Sequence, residues 1–287
     1  MNDRVFKIGV VAPGSPINRS IADRVTDIAA SLDLGAIPEF YFHPQCFTEC
    51  GHFAGDDFAR SAAFVGLAND PDFDAIWFAR GGYGSCRLLE VMLPQLNDTA
   101  RKKTYLGYSD VGAILGALYA EGFARAAHGP MVADVTRTGG EATAERALRY
   151  LVNGDTSGLE PTASENAPTA AFNISILSHL LGTPQQPNLA GHILMLEEVS
   201  EYMYRIDRYL FHITSNPEIR KVAGIKLGRC SDVPENDRPF GHDEEECVAH
   251  WCKLSGIPYL GRADIGHDID NKIVPFGNAP SGLETGS

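Results

Sequence analysis

Long apolar runs are missing from this chain of 287 residues. None approaches the ~20 residues that a membrane span requires. The N-terminus, Met1-Asn2-Asp3-Arg4 followed by the short run Val5 to Val11, lacks the longer apolar segment and small-residue cleavage site of a secretory signal. The cytoplasm is therefore the expected compartment. Positive charge is also scarce: Lys and Arg total 24 against 37 Asp and Glu, for a formal net charge of -13. Such a surface repels phosphate backbones and anionic lipid, so neither nucleic acid nor a membrane is an expected partner. A few local arginines can still hold a small anion. Cysteine is sparse, with six residues scattered along the chain, and a protein of this length needs no disulfide framework, so the thiols read as reduced. Cys247, His250 and Cys252 are the one grouping with a metal-site look. Positions i, i+3 and i+5 of a helix do not converge on one ion, and no metal is expected. Internal repeats and low-complexity tracts are absent as well.

What remains is the material of a globular enzyme or binding protein: 44% hydrophobic, 21% charged and 9% aromatic residues. The first half alternates strand and helix signals. Strands are expected near 6–11, 40–42, 74–80 and 104–107, and helices near 21–32, 58–67, 87–92, 111–119 and 142–151. Near-continuous apolar strands alternating with helices predict an α/β, doubly wound parallel sheet covered on both faces. Residues 156–169, rich in Thr, Ser, Pro, Glu and Ala, read as a linker. The expected division is therefore an N-terminal α/β domain over 1–155 and a smaller, β-rich α+β domain over 170–287. In the second part, helices are expected near 174–181, 204–213 and 244–254, strands near 192–199 and 222–227, and short strands and turns over 257–273.

Ligands of doubly wound sheets sit beyond the carboxyl ends of the strands. Three segments lie there: Pro13-Gly14, Arg80-Gly81-Gly82 and Tyr108-Ser109-Asp110. Ser109 follows a strand and opens a helix, a turn that lifts a hydroxyl above the sheet and leaves helix amides free to hold an oxyanion. A plain N-cap serine, with Asp110 favoured in the first turn, explains the same residues. The G-x-S-x-G spacing is not met. The double glycine can bring backbone N–H groups close to a ligand, or can serve only as a tight turn. Neither G-x-G-x-x-G nor a following Gly-Lys-Ser/Thr is present, which disfavours a nucleotide loop. His267, in Gly266-His267-Asp268, sits in a turn between two strand-like runs. It reads as a base projected into a cleft or as a surface histidine. Glu197 and Glu198 end an apolar strand, where one carboxylate would be half buried and suited to orient an imidazole. Alternatively, one caps the sheet and the other meets water.

Together these runs resemble a known family. FARGGYGSCRLL, GYSD, HGPM, LLGTP, LEEVSEYMYRIDR and GHDIDNKIVPFG occur in the order found in the LD-carboxypeptidases, serine peptidases of bacterial cell-wall metabolism, and span Phe78 to Gly277. The resemblance implies that Ser109 is the nucleophile, Glu197 the triad acid and His267 the base. It further implies that the backbone amides of Gly82 and Asp110 form the oxyanion hole. It implies no cofactor, and the expected substrate is a murein tetrapeptide that loses its terminal D-alanine in the cytoplasm. A homodimer is the expected assembly. Arg80 is a candidate for the substrate carboxylate, with a packing or ion-pair role as the alternative. A related branch, the microcin C self-immunity peptidases, cleaves aminoacyl-nucleotide conjugates. A silent muropeptide-binding module is the non-enzymatic alternative. Where the family commonly has Gly-Gly-Asn, this chain has Ala171-Phe172-Asn173. If those glycines admit substrate, Phe172 narrows the pocket. The chain is also rather short, so a cleft-lining loop is expected to be trimmed.

Overall fold

The computed structural model describes residues 4–164 and 167–279, and two residues of the expected linker, 165 and 166, lie outside the described ones. The short apolar runs of the first half become β1 (Lys7–Val11), β2 (Glu39–Phe42), β3 (Ala75–Phe78), β4 (Thr104–Gly107) and β5 (Ala126–His128). Between them run α1 (Arg19–Ser31), α2 (Asp57–Asn69), the single turn α3 (Leu89–Met92) and α4 (Gly112–Ala120), and α5 (Glu141–Asn153) follows. The central strands are apolar on both faces because helices cover both: all four residues of β3 are buried. The outer strand β2 alternates exposed and half-buried residues, as an edge should. Local signals set the helix ends. The Asp56 carboxylate accepts the Ala59 N–H at 2.7 Å at the start of α2, and α5 stops at Gly154 in the left-handed region, φ 64°.

The second half supplies β6 (Thr169–Asn173), α6 (Ile174–Leu180), β7 (Ile193–Val199), α7 (Met203–Ser215), β8 (Gly224–Ser231), α8 (Glu244–Ser255), β9 (Tyr259–Arg262) and β10 (Val274–Pro275). Strands β6, β7, β8 and β9 form a separate, smaller sheet in that order, parallel throughout. The larger sheet has the order β10-β5-β4-β3-β1-β2, all parallel except β10. That last strand returns from the smaller sheet and pairs with β5, Val274 opposite His128. The connecting segment is tied in as well, since Leu159 bridges Ile273 and Glu160 is 2% exposed. One continuous apolar core joins α4 of the larger part to α6 and α7 of the smaller, through Ile114, Leu118, Phe172, Leu177 and Leu210.

The strand order 2-1-3-4-5 reverses direction between β1 and β3, the place where ligands of doubly wound sheets bind, and the loops after these two strands meet there, the Ser15 N–H donating to the Gly81 carbonyl at 3.1 Å. The loops after β1, β3 and β4 are the three segments singled out above. Ala171 and Phe172 are fully buried in β6. Phe172 packs on Phe276, ring centroids 5.0 Å apart, and faces Gly116 of α4. It fills the core between the two sheets and does not narrow a pocket, contrary to the expectation from the missing glycines.

Candidate active site

Tyr108 is extended, φ -154° and ψ -167°. Ser109 then turns into the left-handed region at φ 61°, and a tight turn over Ser109–Val111 leads into α4. For a residue with a Cβ that conformation costs about 1 kcal/mol and persists only where the surroundings impose it. Its consequence is that the hydroxyl stands above the strand end, half buried. The Ser109 hydroxyl donates to His267 Nε2 at 3.0 Å, and His267 Nδ1–H donates to Glu197 Oε2 at 2.5 Å. Residues from three distant parts of the chain thus form one hydrogen-bonded line, Ser109–His267–Glu197.

Glu197 comes from the carboxyl end of β7. Successive strand residues face opposite sides of a sheet, and here the two adjacent carboxylates part company. Glu197 points to His267. Glu198 accepts from Asn173 Nδ2 and the Val199 N–H through Oε1, and from the Ser175 N–H through Oε2. Neither meets water: Glu197 is 0% and Glu198 2% exposed, so both are more deeply buried than a half-buried acid. A register irregularity between β7 and β8 lies beside them, a common device for re-aiming side chains at sites. Gly228 leaves the room, because a Cβ there would stand 2.9 Å from Glu197 Cβ.

Electrostatics suit proton transfer. Burial alone pushes the His267 imidazole down, but the Glu197 carboxylate, its hydrogen bond, and the charges of Glu198 and Asp134 outweigh this and hold its pKa above the usual 6.5. Burial pushes Glu198 up to about 7, with the Val199 N–H opposing and the Glu197 charge adding to the rise.

The double glycine lies against the nucleophile. A Cβ at Gly81 would stand 3.2 Å from Ser109 Oγ, so only glycine leaves the space above the hydroxyl open. Gly82 has φ 98°, and a side chain there would collide with Ser15. Asp110, 4% exposed, does more than offer an amide: its Oδ2 accepts the Ser85 N–H at 2.9 Å and ties the serine turn to the glycine loop. Arg80 is exposed, and among the described residues no ion pair or hydrogen bond involving it is found.

Two supports escaped the sequence reading. Arg60, in a predicted helix, has a fully buried guanidinium that donates to the Gly84 carbonyl at 3.2 Å and to the Pro13 carbonyl, holding two of the three loops together. The Tyr108 ring stands 4.8 Å from the His267 ring, and its hydroxyl donates to Asp134 Oδ1 at 2.9 Å. Only the position of Tyr108 beside Ser109 hinted at such a role. Of the metal-like trio, Cys247 and Cys252 are buried thiols of α8 and His250 packs edge-on against Trp251. Among the described residues no group of three or more His, Cys, Asp or Glu is placed to hold an ion. Nor is any described helix long and apolar enough to cross a membrane.

Comparison with known proteins agrees with this architecture. The profile of the LD-carboxypeptidase N-terminal domain matches residues 8–129, and that of the LD-carboxypeptidase C-terminal domain matches 167–280. A Synechocystis sp. protein, provisionally named a carboxypeptidase, is 31% identical over 95% of this chain and 89% of its own length. The murein tetrapeptide carboxypeptidase of Pseudomonas aeruginosa is 26% identical over 94% of this chain and 91% of its own. Among solved structures, muramoyltetrapeptide carboxypeptidase from Oxalobacter formigenes superposes with a TM-score of 0.75 at 25% identity, covering 94% of this chain and 93% of that one. The microcin C7 self immunity protein shares the fold, with a TM-score of 0.78 at 19% identity over 96% and 92% of the two chains. With both domain profiles matched in order and a full-length relative above 30% identity, this chain belongs to the LD-carboxypeptidase family.

Proposed function

We propose that the protein is a serine carboxypeptidase that releases the terminal D-alanine from a murein tetrapeptide, at the L,D bond to a meso-diaminopimelate centre. The observation that carries the reading is the line from Ser109 Oγ through His267 to the buried Glu197 carboxylate, 3.0 Å and 2.5 Å long. His267 Nε2 takes the Ser109 proton as Oγ attacks the scissile carbonyl. The N–H groups of Gly82 and Asp110 receive the developing oxyanion, a contribution of ~10²–10³ in rate per donor. The protonated His267 then gives its proton to the leaving amine of D-alanine. Water, deprotonated by the same imidazole, releases the tetrapeptide's remaining part from Ser109. Glu197 keeps the Nδ1–H tautomer and stabilises the imidazolium. Arg80, with no partner among the described residues, is placed in sequence beside the glycine loop and takes the free carboxylate that distinguishes a carboxypeptidase substrate. The murein tetrapeptide named for the P. aeruginosa relative supports this substrate class. We further propose that the reaction takes place in the cytoplasm on recycled cell-wall peptide, that the working form is a homodimer, and that residues 1–155 and 170–287 act as the two domains flanking the site.

The test is mass spectrometry of a murein tetrapeptide incubated with the protein and, in parallel, with Ser109→Ala. Loss of one D-alanine with the parent alone is expected. Loss with both proteins would refute Ser109 as nucleophile. An intact tetrapeptide, with cleavage of a glutamyl or aspartyl nucleoside conjugate like those bound by the microcin C7 self immunity protein, would move the substrate to that branch. An unreacted serine toward a fluorophosphonate would leave a binding module.

A further inference from the structure

The loop that presents the base, residues 264–272, is held from both halves of the molecule. From the smaller sheet, Arg229 of β8 pairs with Asp264 at 2.6 Å and grips both carboxylate oxygens of Asp268. From the larger part, Arg146 of α5 donates to the Ile269 and Asn271 carbonyls at 3.0 and 2.9 Å. These contacts are charged and partly exposed. The innermost one is neither: Asn271 is 1% exposed, and its side-chain oxygen lies 3.1 Å from the Gly266 backbone nitrogen and 3.1 Å from His128 Nε2.

Those two distances settle the proton positions. A backbone N–H only donates, so the atom facing Gly266 is the amide oxygen. His128 Nε2, facing the same oxygen, must then carry its hydrogen. His128 is 1% exposed and sits at the end of β5, where it pairs with Val274 just past the loop. A single oxygen therefore collects one donor from the residue immediately before His267 and one from the opposite sheet. The other amide group, Asn271 Nδ2, is buried without a partner among the described residues. A buried unpaired donor is costly, and aspartate would accept both hydrogen bonds without leaving one. Aspartate would also add a negative charge to a group already facing His267: Glu197 and Glu198 from β7 and Asp134 after β5. The Tyr108 ring and the Ser109 hydroxyl touch the imidazole, Arg137 pairs with Asp134, His128 stands edge-on to Tyr108, and Arg229 and Asp268 lie beside the loop. Asparagine supplies the acceptor without the charge.

We infer that Asn271 and His128 are positioning residues for this active site: the Nε2–H of His128 fixes Asn271, and the Asn271 oxygen fixes Gly266 and so aims the imidazole of His267 at Ser109. The inference rests on the serine, histidine and glutamate reading above. Displacement of a reacting group by about 1 Å can cost ~10²-fold in rate, and that is the scale of the expected losses.

The experiment is the rate at which a fluorophosphonate labels Ser109, measured against pH for the parent, Asn271→Ala, Asn271→Asp, His128→Leu, His128→Gln and His267→Ala, with melting temperatures alongside. Asn271→Ala and His128→Leu should label ~10²-fold more slowly. His128→Gln, whose amide can donate from nearly the Nε2 position, should recover most of that loss. Asn271→Asp should keep the plateau rate within about tenfold, with the acid limb displaced upward by about one pH unit. A merely structural pair would lower melting temperatures and leave the limb in place. Parent-like labelling of folded Asn271→Ala and His128→Leu, or an unmoved acid limb in folded Asn271→Asp, with His267→Ala inert, would overturn the inference. Parent-like labelling of His267→Ala would overturn the triad reading instead.

Discussion

Replacing Glu197 by glutamine removes a charge and almost no volume from a side chain with no exposure. His267 keeps only 9% of its side chain exposed, so the imidazolium formed on taking the serine proton has little water to stabilise it. It has instead the carboxylate 2.5 Å from Nδ1. Removing one member of a buried charge pair costs ~3–5 kcal/mol. Because this pair becomes fully charged only on proton transfer, the loss falls on the transition state. At 1.36 kcal/mol per decade, kcat/KM should fall ~10²–10⁴-fold. The substitution also removes the largest influence holding His267 above 6.5, so the acid limb of the pH profile should move downward. The fold should respond little, because the loss of a desolvated charge offsets the unpaired amide donor that glutamine leaves at the buried Oε1 position, which has no partner among the described residues. A melting temperature within ~4 °C of the parent is expected. The assay is kcat/KM on a murein tetrapeptide from about pH 5 to 9, with phosphonate labelling in parallel. A loss under ~3-fold, or an acid limb that moves upward, would refute the assignment of Glu197 as the acid.

Three further outcomes follow from the geometry. Ser109→Gly and Ser109→Ala should both be inactive, but thermal unfolding should find the glycine variant more stable by ~1 kcal/mol, since only glycine relaxes at φ 61°; equal stabilities would deny the strain. Gly81→Ala places a methyl 3.2 Å from Ser109 Oγ, so labelling should fall at least ~10-fold with little change in melting temperature, and unimpaired labelling would show that the space above the hydroxyl is not used. Glu198 binds its proton more tightly in the folded state, at about 7 against an ordinary 4.5. Its stabilising contribution is therefore present below about 4.5 and is lost as pH rises through about 7, roughly 3 kcal/mol in all. Denaturant melts of Glu198→Gln should lose less stability than the parent across that window, and equal slopes would contradict the buried carboxyl.

Sequence periodicity alone determined the larger sheet's α/β character, most of the helices, and the three loops at the strand ends. Those signals are local: apolar runs of strand length, helical spacing and the glycines that interrupt them. The ordered motifs also marked Ser109, Glu197 and His267 as candidates, yet each kept a structural alternative when read by itself. Strands β5, β6 and β10 were not legible. Ala126–His128 and Thr169–Asn173 are short and alanine-rich, with weak intrinsic strand preference, and Val274–Pro275 is a strand only because β5 offers it an edge. What only the tertiary structure decided is which side chains meet. Ser109 and His267 are 158 residues apart, and His267 and Glu197 are 70 apart. Whether Glu197 or Glu198 faces the imidazole depends on strand register, which a one-residue slip would reverse. Phe172 went to the core, and Arg60 became a buried clasp, for the same reason. A side chain's environment is set by the elements packed against it, and those elements come from remote parts of the chain.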